Sequence, residues 1–99
     1  MFGIYTKITA VSGKHQELLD MLLRAAKGME TVESCKAYIV NKSTTEPDVV
    51  WVTEIWDTKQ SHDASLMDEN ARALISQALP LIAKSPEQIV LSPVGGKGL

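Results

Sequence analysis

The spacing of apolar residues along the chain changes between a period of two and a period of three to four. The first spacing is typical of β-strands, and the second is typical of helices that pack on one side. Leu18, Leu22 and Ala25 form the clearest helical stripe, while Pro80 lies inside the last predicted helix and indicates a kink or an early end there. The predicted elements are strands at 2–11, 35–41, 49–56 and 88–92 and helices at 14–27, 59–67 and 71–83.

The order of these elements predicts the fold class. It reads strand, helix, two strands, two helical segments and a last strand, which favours a four-stranded antiparallel sheet with helices on one face. This is the ferredoxin-like βαββαβ arrangement of the α+β class. The 99 residues suffice for one such domain, predicted over 1–94, and the glycine-rich end predicts a flexible tail at 95–99.

The strand at 49–56 is apolar on both of its faces. Trp51 and Ile55 share one face, and Val52 and Trp56 share the other, so this strand is predicted to be central and covered on both sides. If helices cover one face, the other exposes a tryptophan with aliphatic neighbours, and large exposed apolar patches usually mark an interface. A second copy of the chain is the expected cover, which predicts a homodimer through the open sheet face. The alternative is that the C-terminal tail folds over this face.

Composition and charge exclude several classes of function. Ten basic and twelve acidic residues give a net charge of −2, without the basic excess of nucleic-acid-binding proteins. No apolar run approaches the roughly 20 residues that span a bilayer, and the first residues lack the pattern of a signal peptide. The single cysteine, Cys35, has no partner for an intrachain disulfide. We therefore expect a cytoplasmic domain that binds neither nucleic acid nor membrane.

A Glu-x-Trp motif ends the third predicted strand at Glu54 and Trp56, and the stretches 61–66, 78–82 and 91–94 follow it. Together with the order of elements over nearly the whole chain, these residues resemble the antibiotic biosynthesis monooxygenase family, which includes small quinol monooxygenases. The resemblance implies a dimeric α+β barrel. One position departs from the pattern: many relatives have a histidine nine residues after the tryptophan, whereas this chain has Ser65 there and His62 one helical turn earlier.

The sequence contains no flavin, nicotinamide or metal motif, which is compatible with oxygenation that uses no cofactor and no metal. Such a reaction needs an electron-rich substrate, a dry pocket, a base and donors for the resulting oxyanion. His62 is the candidate catalytic base, because imidazole titrates near neutral pH. The candidate substrate-binding residues are Trp56 for stacking, Tyr5 and Tyr38 for hydrogen bonds, and Met67 for an adaptable pocket wall. For each of them, ordinary packing or surface exposure is the alternative.

Glu54 lies among apolar neighbours, where an unpaired carboxylate is unfavourable. It is predicted to pair with a cation such as Arg72 or Lys7, within one subunit or across two, and proton transfer is the alternative role. The predicted function is a cofactor-independent monooxygenase that oxidises quinol-like or polycyclic phenolic molecules in an apolar pocket between helices and sheet. The alternatives are a non-catalytic dimeric module that binds a small ligand and, less favoured, a heme-degrading monooxygenase, which needs an axial ligand in the pocket.

Overall fold

A single sheet with helices on one face forms the fold, in a computed structural model that describes all residues from 1 to 99. Its four antiparallel strands lie in the order β2-β3-β1-β4, which confirms the predicted ferredoxin-like α+β fold with β3 in a central place. Single 3-10 turns follow α1 at Met29–Thr31 and α3 at Leu79–Leu81. The elements are β1 (Phe2–Thr9), α1 (His15–Gly28), β2 (Cys35–Lys42), β3 (Val49–Trp56), α2 (Lys59–Ser65), α3 (Glu69–Ala78) and β4 (Glu87–Leu91).

Local chemistry explains where the second and third helices begin and end. Thr58 caps α2, with its Oγ1 accepting a hydrogen bond from the backbone N–H of Ser61 at 3.1 Å. The Asp68 carboxylate caps α3 in the same way, so the predicted helix at 59–67 ends two residues early and a new helix starts. Pro80 lies in the 3-10 turn after α3, which confirms the early end predicted from its missing N–H.

The two faces of the sheet differ in what covers them. Even-numbered residues of β1 and β3 face the helices, and the most deeply buried side chains, including Leu18, Val50 and Trp56, lie in this layer. Odd-numbered residues of β1 and β3 face away from the helices, together with the β2 and β4 residues that pair with them. We call this side the open face; its large side chains are Tyr5, Ile39, Trp51, Ile55, Ile89 and Leu91.

The C-terminal tail covers only a corner of the open face. A side chain at Gly3 would place its Cβ 3.1 Å from Cγ of Pro93, so glycine allows Pro93 to pack against β1. Beyond that contact the tail turns away, and Val94 is 97% exposed. The alternative in which the tail covers the sheet is therefore wrong for most of this face. None of the helices has the length and apolar content that crossing a bilayer requires.

Candidate functional site

A cavity of about 690 Å³ lies between the helices and the helix-side face of the sheet. It is lined by 21 residues from α1, the segment between α1 and β2, the α2–α3 region, β2 and β3, and 13 of these are hydrophobic. This volume and apolar lining are typical of pockets that bind small organic molecules. The sheet contributes Tyr38, Glu54 and Trp56, which form the floor of the cavity.

The register of β2 and β3 brings the polar floor residues together. Glu54 and Trp56 are two residues apart on β3, so both side chains point toward the helices. Tyr38 on β2 pairs directly with Glu54 across the strands, so its side chain emerges on the same face. A carboxyl, a phenol and an indole therefore meet at the floor of a cavity whose lining is mostly apolar.

Glu54 has no cationic partner. No basic nitrogen lies within 4.0 Å of its carboxylate, and its one hydrogen bond comes from Trp56, whose Nε1 donates to Oε1 at 3.0 Å. The predicted ion pair with Arg72 or Lys7 is therefore wrong within the chain. Lys7 has the opposite parity on β1 and contacts Glu46 and Glu87 at 3.3 and 3.8 Å on the open face. Arg72 is exposed on α3.

Burial changes the protonation of both floor groups in the same direction. Desolvation raises the pKa of Glu54, and the hydrogen bond from Trp56 and the nearby charge of His62 only partly oppose this shift. Desolvation, followed by the Glu54 charge, raises the pKa of Tyr38 well above its usual range. Glu54 is thus a stronger base than an exposed glutamate, while Tyr38 stays protonated as a hydrogen-bond donor.

His62 lies beside the floor and does not line the cavity. It is 8% exposed, and its ring centre lies 5.0 Å from that of Phe2 and 5.8 Å from that of Trp56. Its Nδ1 is 3.0 Å from Oδ1 of Asp63. Ser65 lines the cavity instead, with its Oγ donating to the His62 carbonyl oxygen at 2.6 Å. Because no histidine lines the cavity, the site offers no axial imidazole to a heme.

Two candidate substrate-binding residues lie away from the cavity. Tyr5 is on the open face, where it borders a shallow depression of about 430 Å³ that also contains Trp51. Met67 follows α2, is 70% exposed and does not line the cavity. Of the candidate residues, the structure therefore brings only Trp56 and Tyr38 into the cavity wall, with His62 in contact with Trp56.

Glu54 is the central residue of the floor, although the sequence favoured an ion pair for it and left proton transfer as the alternative role. The signal was present in the sequence, because Glu54 and Trp56 occupy positions i and i+2 of one strand and must share a face. Trp56 is 1% exposed, and its N–H is directed at Glu54. Arg24 on the cavity side of α1 also carried no predicted binding role.

The profile of the family described as antibiotic biosynthesis monooxygenase matches residues 1–77 of the chain. A candidate antibiotic biosynthesis monooxygenase from Chloroflexus aurantiacus is similar in structure, with a TM-score of 0.85, 34% identity, and coverage of 96% of this chain and 94% of that one. Similar candidates from Caulobacter crescentus (TM-score 0.87, 22% identity, 95% and 90% coverage) and Nitrosomonas europaea (0.89, 8%, 96% and 100%) share the fold. No protein of curated function matches the chain.

Proposed function

The chain belongs to the antibiotic biosynthesis monooxygenase family, and from that membership we propose that it oxidises quinol-like or polycyclic phenolic molecules with dioxygen and no bound cofactor. One observation carries this proposal. A carboxylate without a counter-ion, Glu54, lies at the floor of an apolar cavity whose volume suits a fused aromatic ring system. An apolar wall binds the rings, and the polar floor receives a phenolic hydroxyl.

Glu54 is the proton acceptor in this proposal. General-base catalysis is most efficient when the pKa of the base approaches the working pH, and burial raises the pKa of Glu54 in that direction. Tyr38 donates a hydrogen bond to the phenolate that forms, which stabilises the developing charge. Trp56 acts as a positioning residue, because its Nε1–H holds one carboxylate oxygen and leaves the other for the substrate.

The reaction balances without an external reductant. A hydroquinone and dioxygen give a hydroxyquinone and water: one C–O bond forms at a ring carbon, and that carbon's C–H bond and the O–O bond break. The deprotonated ring first gives an electron to dioxygen, and the two radicals combine at carbon as a peroxide, which becomes a hydroperoxide by taking back the proton that Glu54 accepted. Loss of the ring proton then breaks the O–O bond and expels hydroxide, and this proton and the hydroxide leave as water. The substrate supplies all four electrons.

Oxygen consumption tests the proposed activity. We expect metal-free and flavin-free protein to accelerate oxygen uptake with some members of a panel of naphthohydroquinones and anthrones, with one atom of ¹⁸O₂ in the product and one in water. Catalase should release no oxygen, because a monooxygenase forms no free peroxide. Uptake at the uncatalysed rate across the panel would contradict the proposal. Tight binding without turnover would instead favour the non-catalytic binding module.

We further infer that two copies pair through the open face, as the family resemblance implies. Ile39 is 51% exposed there and Ile89 is 50% exposed, beside the half-buried Trp51. A contiguous patch of large apolar side chains on one face favours an isologous interface, because a C2 pair covers it with itself.

Sedimentation at micromolar concentration should report about twice the 10.8 kDa chain mass for the wild type. Ile39→Glu should shift the protein toward the monomer, because it places a charge within the buried interface. Leu23→Glu is the matched control, since Leu23 is 54% exposed on α1 and lies outside both the open face and the cavity lining. A single 10.8 kDa species for the wild type would contradict the dimer.

A further inference from the structure

Arg24 lies on the cavity side of α1, within a stripe that is otherwise apolar. The α1 residues that line the cavity include Met21, Arg24, Ala25 and Gly28, which follow the spacing of one helix face. Arg24 is the only basic residue among the 21 that line the cavity. The side chain is exposed, so its guanidinium lies at the opening of the cavity and away from the floor.

The guanidinium has no partner within the chain, although two carboxylates are nearby in sequence or space. Asp20 precedes Arg24 by four residues, a spacing that allows ion pairs on a helix, but its Oδ1 accepts a hydrogen bond from Nε2 of Gln16 at 2.9 Å. Asp68 also lines the cavity, but its Oδ2 accepts the first backbone N–H groups of α3. The donors of Arg24 are therefore free for a ligand.

Gly28 leaves open space beside Arg24, one helical turn away. Its φ of −63° and ψ of −24° are helical values that any residue adopts, and a Cβ built there meets nothing within 4 Å. Gly28 is the last residue of α1, and neither its backbone conformation nor crowding requires a glycine there. The missing side chain thus widens the opening next to the guanidinium.

We propose that the substrate carries a carboxylate, which Arg24 binds at the opening while the phenolic end of the same molecule reaches Glu54 and Tyr38. This inference rests on the proposed function, which places the phenol at the floor. A guanidinium donates two parallel N–H bonds to a planar carboxylate, a geometry that lysine does not reproduce. The negative Glu54 at the floor repels a carboxylate that enters first, so the two charges fix one orientation of the substrate.

Binding of two matched, non-oxidising probes tests this inference without requiring turnover. The probes are 6-hydroxy-2-naphthoate, with hydroxyl and carboxylate at opposite ends of a flat ring system, and its neutral methyl ester. Titration calorimetry should give about tenfold tighter binding of the acid to the wild type at low salt, and salt should reduce that difference. Arg24→Gln should lower the affinity for the acid to that for the ester and leave the ester unchanged, while Arg24→Lys restores part of the difference.

Lys27→Gln is the matched control, because Lys27 is an exposed cation in the last turn of α1 that does not line the cavity. Its removal should change neither affinity. Equal affinities for acid and ester in the wild type, or an Arg24→Gln variant that keeps the preference, would overturn the carboxylate proposal, while oxygen uptake with neutral hydroquinones would leave the proposed activity intact. If neither probe binds, the carboxylate proposal fails, and the oxygen-uptake panel decides separately whether the proposed activity stands.

Discussion

Glu54→Gln is expected to lower turnover of a hydroquinone by about 10²–10⁴-fold, because an amide accepts no proton from the phenol. The substitution keeps the size of the side chain, and its carbonyl oxygen still accepts the hydrogen bond from Trp56 Nε1. Initial rates of oxygen uptake at saturating substrate measure the effect. Glu33→Gln is the matched control, since Glu33 is exposed and precedes β2 outside the cavity. It should retain the wild-type rate.

The same variant should be at least as stable as the wild type at neutral pH. Burial raises the pKa of Glu54 in the folded protein, so the folded state holds this proton more tightly than the unfolded state. The free energy of unfolding therefore falls as pH rises from the ordinary pKa of a glutamate to the raised pKa of Glu54. Above the raised pKa, the protein has lost all of the stability that this proton contributes. Glutamine does not titrate, so the Glu54→Gln variant does not lose this stability as pH rises. Urea unfolding of wild type and variant at several pH values measures the difference.

Measurements of activity and stability together therefore distinguish a catalytic role for Glu54 from a purely structural one. A catalytic base gives a variant that is inactive and as stable as, or more stable than, the wild type. A purely structural carboxylate gives a variant that loses stability with little loss of turnover. The wild-type rate should also decrease as pH is lowered through the raised pKa of Glu54, because protonation removes the base. A rate that is independent of pH across that range would contradict the assignment.

Most of the fold follows from local patterns. The apolar residues on both faces of the strand at 49–56 predicted its central place in the sheet, and the strand order confirms that β3 has a neighbour on each edge. Pro80 predicted the end of α3, because its missing N–H and its ring act within a single turn. These features depend on residues close in sequence, so the sequence alone was enough.

The site was harder to predict, because it depends on which face of the sheet the helices cover. Tyr5 and Tyr38 looked equivalent as half-buried strand tyrosines, yet opposite faces separate them, and only Tyr38 reaches the cavity. The parity of each strand is visible in the sequence, but the assignment of a parity to the helix side comes from long-range packing. The position of Tyr38 beside Glu54 could not be predicted for a similar reason, because the register between β2 and β3 determines that the two residues pair.

His62 lies one helical turn before Ser65 on α2, and this difference places it outside the cavity lining. Residues three apart on a helix lie on roughly the same side, which made His62 a plausible substitute for the position of Ser65. In the structure Ser65 faces the cavity, whereas His62 packs between Phe2 and Trp56. Residues i and i+3 of a helix differ in direction by about 60°. On the seven-residue helix α2, at the edge of the cavity, this difference is enough for Ser65 to line the cavity while His62 packs beside it.

Trp56→Ala is expected to destabilise the protein by about 3–5 kcal/mol, because it leaves a large cavity beneath Phe2 and His62. The indole is 1% exposed, and a loss of this size is a large part of the roughly 5–15 kcal/mol that holds a small domain folded. Urea unfolding measures the change. Leu23→Ala is the matched control, since Leu23 is 54% exposed on α1 and lies outside both the open face and the cavity lining.

Trp56→Phe separates the electrostatic role of the indole from its bulk. It keeps an aromatic ring in the same packing layer but removes the N–H that donates to Glu54 at 3.0 Å. That hydrogen bond lowers the pKa of Glu54, so its loss should raise this pKa further and move the acid limb of the pH–rate profile to higher pH. Trp51→Phe should leave the acid limb in place. If Trp56→Phe lowers the rate equally at all pH values, the indole does not tune Glu54, and its contribution is packing alone.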